Sequence, residues 1–139
     1  MNRQEIFNKA VMGIINQGGP SYEQSDGSPA PLYHNGTNDR CCAMGHIVPK
    51  ETAQRLQYDY DGINIRSIIN DYDNIKELFD VKSYDDGIFL QNLQDLHDAI
   101  LDNTNNVNDK QFMKIFKENA IVFAHKYNLN MPEGITYDR

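Results

Sequence analysis

One stretch, residues 41–50 with the sequence CCAMGHIVPK, holds both cysteines, one of the four histidines and a proline suited to open a helix. The chain before it predicts one helix and an irregular approach, and the chain after it predicts helices that can pack around it. Ala43 and Gly45 permit close backbone packing, and Cys42 fits a small buried site. We therefore expect residues 41–50 to form a structural junction.

On the N-terminal side of this stretch, the pattern predicts a small β-ribbon. Asn35-Gly36 is a hairpin signal between two short apolar runs, and it predicts Pro31–His34 as the first strand and Arg40–Met44 as the second. Residues 21–30 are polar and predict a loop. Apolar residues at three- and four-residue spacing predict an amphipathic helix over residues 2–17. A lone hairpin is marginal in water, so we expect the ribbon to lie on helices.

On the C-terminal side, the pattern predicts only helices. Pro49 opens one that runs to about Gln57, and isoleucine clusters predict two short helices near residues 65–69 and 75–79. Ser83 and Asn108 are predicted to cap two longer amphipathic helices. Residues 129–139 are expected to form a strap or a flexible tail. The sequence therefore predicts one domain, 1–139, of mainly helical α+β class, with a two-stranded ribbon packed on four or more helices.

Composition excludes several classes of protein. The 139 residues carry a net charge of −7, whereas a nucleic-acid-binding protein needs a basic face. No apolar run approaches the ~20 residues that span a bilayer, and the N-terminus lacks the layout of a signal peptide. We expect a cytoplasmic protein with no membrane association. The two cysteines are adjacent, which argues against a disulfide framework.

Acidic residues concentrate between positions 59 and 86, and candidate binding residues are Asp59, Asp61, Asp71 and Asp73. One interpretation is a solvated surface that keeps the protein in solution, which is the commoner outcome. The other is a negative patch that docks on a basic partner protein. Composition leaves both interpretations open.

Cys42, His97 and Asp98 are the candidate catalytic residues. Cys42 lies shortly before a predicted helix, and His97 on a later helix could activate the thiol while Asp98 orients the imidazole. The structural alternative is an inert buried cysteine and a histidine that bonds a backbone carbonyl between Cys42 and Gly45. The balance favours the structural alternative and a protein that is not an enzyme.

Metal binding is not expected. His34, His46, His97 and the cysteines carry suitable nitrogen and sulfur ligands, but the chain has no C-x-x-C or H-x₃-H pair. Asp59-x-Asp61-Gly62 resembles the centre of a calcium loop, yet Gln57 and Ile68 then occupy two essential ligand positions. We expect neither metal nor cofactor.

Several short motifs resemble a family of small uncharacterised proteins of bacteriophages and bacterial genomes. The matching segments, in chain order, are Gln4-Glu5-Ile6-Phe7, Tyr33, Cys42-Ala43-Met44-Gly45-His46-Ile47-Val48-Pro49, Asp61-Gly62, Leu93-Gln94-Asp95-Leu96-His97-Asp98 and Tyr127-Asn128-Leu129. The chain departs from the pattern at Leu32, where the family has a cysteine, and at Lys50, where an acidic residue is frequent.

The family offers no activity that could be assigned to this chain, so the resemblance implies only a fold and a source. It implies a phage accessory protein in the host cytoplasm that acts as a non-catalytic binding module on a host protein. The alternative is a small thiol-dependent enzyme that uses the Cys42–His97 pair. The sequence leaves the oligomeric state open.

Overall fold

The computed structural model describes residues 1–69 and 73–133. Within these ranges the chain forms seven helices and one two-stranded antiparallel ribbon. The elements are α1 (Arg3–Gln17), β1 (Tyr22–Ser25), β2 (Ser28–Pro31), α2 (Ala43–Ile47), α3 (Lys50–Tyr60), α4 (Ile65–Ile68), α5 (Asp73–Leu78), α6 (Tyr84–Asp102) and α7 (Asp109–Lys126). The predicted class, mainly helical α+β with a small ribbon on four or more helices, is confirmed.

The predicted helix at the N-terminus is present as α1, and its ends have local causes. Asn2 accepts a hydrogen bond from the Glu5 backbone N–H at 2.9 Å, and the Glu5 side chain accepts one from the Asn2 backbone N–H, which forms a capping box. Gly18 ends the helix in the left-handed conformation at φ 81°. The inward face carries Phe7 and Ile14, both fully buried. Helix α1 packs against α2.

The ribbon is present, but its predicted position was wrong. It pairs Tyr22 with Pro31 and Ser25 with Ser28, so all of it except Pro31 lies in residues 21–30, which were predicted as a loop. The two-residue turn is Asp26-Gly27, and both residues have positive φ, 39° and 84°, as a hairpin turn that matches strand twist requires. The polar flanking residues lack the apolar alternation that marks a strand, so the pattern concealed the turn.

The predicted second strand, Arg40–Met44, is also wrong. Only Cys41 makes a bridge to His34, and the chain then enters α2 with Cys42 at the N-cap. Gly45 explains why the helix fits here, because a Cβ at that position would collide with the Tyr33 carbonyl oxygen and lie 2.8 Å from the Cys41 Cβ. Helix α2 contacts α1, α3 and α6, so residues 41–50 form the expected junction, as a helical turn rather than a strand.

Helices α6 and α7 complete the core. Ser83 and Asn108 cap them, each accepting a hydrogen bond from the backbone N–H three residues on. Phe123 stacks on Phe7 at 5.5 Å between ring centroids, which joins α7 to α1. Helix α6 contacts α2, α4, α7 and β2. It is therefore the element that faces both the junction and the ribbon.

The start of the predicted tail is tied to α1. The Gln4 side chain donates to the Asn130 carbonyl oxygen at 2.8 Å and accepts from the Asn130 N–H at 2.9 Å. This part of residues 129–139 behaves as a strap, and 134–139 lie outside the described residues. No helix within the described ranges has the length and apolar character needed to cross a bilayer.

Candidate functional site: an acidic groove

A groove runs between the outer edge of α6, the end of the ribbon and the turn after α3. Its first section, of about 390 Å³, is lined by residues from all three. A second section, of about 460 Å³, extends along the loop that follows His34. Leu32 and Asp61 line both sections, so the two sections adjoin, and we call them together the acidic groove.

Carboxylates supply the charge of the acidic groove. They come from β1, the turn after α3 and the outer edge of α6, and they are Glu23, Asp61, Asp95, Asp98 and Asp102. Among the described residues, no lysine or arginine lines either section. The groove is therefore uniformly negative, while its walls also include apolar side chains.

The three α6 carboxylates share one edge of the helix because Asp95, Asp98 and Asp102 are spaced by three and then four residues. Burial raises the pKa of Asp95, and the negative charges of Asp98 and Asp102 raise it further, against the opposing effect of a hydrogen bond from Gln91. The charges of Asp98 and Asp102 thus repel the charge of Asp95. A cation placed in the groove would relieve that repulsion.

The cations of the described chain form their ion pairs elsewhere. Arg3 pairs with Asp86 at 2.9 Å and Arg40 with Asp109 at 3.0 Å. Lys50 pairs with Asp39 at 2.9 Å, outside the lining of the groove. The groove carboxylates thus have no lysine or arginine partner within the part of the chain that the structure describes.

Apolar walls accompany the charge. Pro31 and Leu32 form the ribbon side of the first section, and Ile63 stands at its rim with 43% of its surface exposed. Tyr33 is buried below them, and its hydroxyl donates to the Ile63 carbonyl oxygen. This bond holds the turn after α3 against the ribbon, and burial raises the pKa of Tyr33. The groove therefore combines negative charge with aliphatic contact.

Asp98 connects the groove to a fully buried histidine. Its Oδ1 lies 2.7 Å from His97 Nδ1, and His97 Nε2 lies 2.8 Å from the Ser21 backbone nitrogen. A backbone N–H can only donate, so Nε2 is the acceptor and the ring proton sits on Nδ1, where it is donated to Asp98. His97 thus joins α6 to the segment that enters the ribbon. The expected bond to a carbonyl between Cys42 and Gly45 is replaced by this contact with Ser21.

The structure brings the three predicted catalytic residues together without forming a thiol–imidazole pair. Cys42 and Asp98 line the groove, and His97 lies behind them with both ring nitrogens engaged. Cys42 is 1% exposed. Burial raises the pKa of Cys42 well above its ordinary value and the charge of Asp98 raises it further, although the N–H groups of Gly45 and Met44 oppose the shift. This arrangement disfavours the thiolate that nucleophilic catalysis needs.

The remaining histidines near residues 41–50 also have structural partners. His34 Nε2 lies 2.7 Å from Asp39 Oδ1, and His46 Nε2 lies 2.7 Å from Gln17 Oε1. The Gln17 oxygen also accepts from the Cys41 N–H at 3.0 Å. No group of three or more His, Cys, Asp or Glu side chains within the described ranges is arranged to hold a metal ion.

The predicted binding residues separate in space. Asp61 lines both sections of the acidic groove, whereas Asp59 is exposed on α3 outside the lining. Asp73 begins α5, but its side chain, like the whole of Asp71, lies outside the described residues. Sequence reasoning missed Asp95 and Asp102, although their spacing on one helix edge was a visible signal.

No protein-family model, curated protein or solved structure matches this chain.

Proposed function

We propose that this chain is a non-catalytic protein-binding module whose acidic groove receives a basic segment of a partner protein. The observation that carries the proposal is the groove with five carboxylates and, within the described chain, no lining lysine or arginine. Lysine and arginine side chains fit such a surface because their aliphatic stems pack on apolar walls while their charged ends reach carboxylates. The two adjoining sections, of about 390 and 460 Å³, give room for several side chains of one segment.

Charge gives this recognition its selectivity. The −7 net charge of the chain attracts a basic partner at a distance, and the groove then places carboxylates in contact with it. Asp98 is held in position by His97, and Asp61 accepts a hydrogen bond from Gln57 at 2.9 Å. Two of the groove carboxylates are therefore oriented before binding, which reduces the entropy lost on association.

The resemblance to small phage proteins supports the rest of the proposal. A phage accessory protein in the host cytoplasm would meet its partner among host proteins. The thiol-dependent enzyme remains the alternative, but no observation favours it, because the Cys42 thiol is buried and His97 has no free ring nitrogen.

A binding measurement with a defined probe tests the groove. The probe is a fluorescein-labelled synthetic peptide in which lysine alternates with leucine, and its control is the same peptide with glutamine in place of lysine. At ~0.1 M salt we expect fluorescence anisotropy to show binding of the lysine peptide and no binding of the glutamine peptide. At high salt the lysine peptide should also fail to bind, because salt screens the attraction between the charges.

Paired variants locate the contact. Asp95→Asn combined with Asp102→Asn should weaken binding of the lysine peptide by about tenfold or more, which corresponds to ~1.4 kcal/mol. Glu51→Gln combined with Asp59→Asn changes the net charge equally on exposed residues of α3 outside the groove, and should have little effect. Equal weakening by both pairs would show that only net charge matters and would overturn the assignment of the groove.

A pull-down from bacterial lysate identifies the natural partner. The native chain, the groove pair and the α3 pair serve as three baits. A partner that supports the proposal is retained by the native chain and the α3 pair, is lost with the groove pair, and carries a basic segment. Retention of the same proteins by all three baits would count against the proposal.

A further inference from the structure

One side of the exposed surface of α7, next to the exposed Glu118, carries three lysines whose charge is opposite to that of the groove. Lys110, Lys114 and Lys117 follow one another at helical spacing, and Ile121 continues the same stripe with 40% of its surface exposed. We call these four residues the α7 stripe. Among the described residues, none of its three ammonium groups forms an ion pair with a carboxylate of the described chain.

The spacing of the α7 stripe matches that of the groove carboxylates. The lysines are separated by four and then three residues, and the aspartates at 95, 98 and 102 by three and then four. If the two helices run antiparallel, Lys117 stands opposite Asp95, Lys114 opposite Asp98 and Lys110 opposite Asp102. Each set then extends over about 10 Å of helix axis, at ~1.5 Å per residue.

The same register also places an apolar contact. One turn beyond Lys117, Ile121 comes opposite Gln91, which lines the groove together with the exposed Ile63. The α7 stripe thus presents lysines that match the carboxylates of the groove and an aliphatic side chain that matches its apolar wall. A second copy of this chain carries both surfaces.

We propose that the acidic groove of one copy receives the α7 stripe of a second copy, so that self-association competes with the partner for the same groove. This inference rests on the proposed function in using the same groove. The occupant is a second copy because charge, spacing and aliphatic contact all match between the two faces.

Salt dependence distinguishes this association from a hydrophobic one. Two copies with a net charge of −7 each repel at long range, and ~0.1 M salt screens that repulsion with a Debye length of ~10 Å while contact pairs are screened less. At ~1 M salt the Debye length falls to ~3 Å and the contact pairs weaken as well. We therefore expect association at the lower of these concentrations and its loss at the higher one.

Sedimentation velocity with charge-reversed variants provides the test. In the stripe variant, Lys110, Lys114 and Lys117 are changed to Glu, and in the groove variant, Asp95 and Asp102 are changed to Lys. Asp98 is left unchanged because it bonds His97. Concentrated native protein should show an apparent mass above that of the monomer, 16.0 kDa. In each variant alone, the dissociation constant for self-association should rise about tenfold or more.

Mixing the two variants gives the decisive result. The reversed stripe of one is acidic and the reversed groove of the other is basic, and the unchanged groove and stripe also match. The mixture should therefore associate at a concentration at which neither variant does alone. A control in which the exposed Lys9, Lys76 and Lys126 are changed to Glu has the same net charge as the stripe variant and should still associate. Circular dichroism confirms that each variant is folded.

Specific outcomes would overturn the inference. These are a native chain that stays monomeric at millimolar concentration and ~0.1 M salt, association that persists at ~1 M salt, or a mixture of variants that fails to associate. The lysine-peptide measurement is independent of all three. A monomeric chain that binds the peptide would refute self-association alone, and a self-associating chain whose isolated monomer ignores the peptide would refute the proposed function alone.

Discussion

His97 is predicted to hold the ribbon segment to α6 through its acceptor nitrogen. The perturbation is a set of three substitutions, His97→Ala, His97→Asn and His97→Gln. Alanine removes both hydrogen bonds, and asparagine keeps a donor near the position of Nδ1, which serves Asp98. Glutamine keeps an acceptor near the position of Nε2, which serves the Ser21 N–H. The set therefore separates the two hydrogen bonds of the ring.

The magnitude follows from burial. Ser21 and His97 are both 0% exposed, so a Ser21 N–H without a partner loses ~1–3 kcal/mol of stability. The alanine variant also leaves a cavity in the volume of the ring, and we expect it to lose about 3–5 kcal/mol in total. Asparagine should approach that loss. Glutamine should lose less, because Asp98 is 19% exposed at its side chain and can exchange its lost partner for water.

Two measurements check this prediction. Urea unfolding at neutral pH, followed by circular dichroism, gives the change in the free energy of unfolding. Amide hydrogen exchange at Ser21 should accelerate in the alanine and asparagine variants and stay protected in the glutamine variant. A loss below ~1 kcal/mol for alanine, or unchanged exchange at Ser21, would refute the reasoning.

Three further predictions concern single residues. Burial lowers the pKa of His46 from 6.5 to about 4, so in that pH range the unfolded chain binds a proton that the folded chain does not. Stability should therefore fall as pH drops through that range, by at most about 3 kcal/mol, and His46→Gln should flatten the profile of urea midpoints against pH. Gly45→Ala should lose about 2–3 kcal/mol in urea unfolding because the new Cβ meets the Tyr33 carbonyl, whereas Gly36→Ala, with open space around it, should lose little. Gly27→Ala should lose ~1 kcal/mol through strain at φ 84°, and an unchanged melting temperature would contradict that.

The acidic groove shows how far sequence reasoning reached toward a site. Asp61 was named as a candidate binding residue because composition alone marks a run of acidic residues, and it is the one member of that set seen to line the groove among the described residues. Asp98 was named for a different role, and its neighbours Asp95 and Asp102, visible at helical spacing on the same edge, were overlooked. Their meeting with Asp61 depends on how α4 and the ribbon pack on α6, which no local pattern contains.

Local interactions decided the helices of this protein. The signals are capping side chains, such as Ser83 and Asn108, and apolar residues that recur every three or four positions. They act within a few residues of each other, so they can be recognised in the sequence before the fold is known. The mainly helical class follows from them. The ribbon could not be placed in this way, because the Asp26-Gly27 turn is local but β2 packs against α6, which is far away in the chain.

Tertiary packing alone decided the chemistry of residues 41–50. Residue types suggested a thiol paired with an imidazole. In the fold, Cys42 is buried away from water, and His97 accepts a hydrogen bond from Ser21, a residue far away in the chain. Desolvation and hydrogen-bond partners depend on which atoms meet in space, and these set whether a thiolate can form. The stretch that holds both cysteines is therefore a junction between helices, and the charged surface beside it is the candidate site.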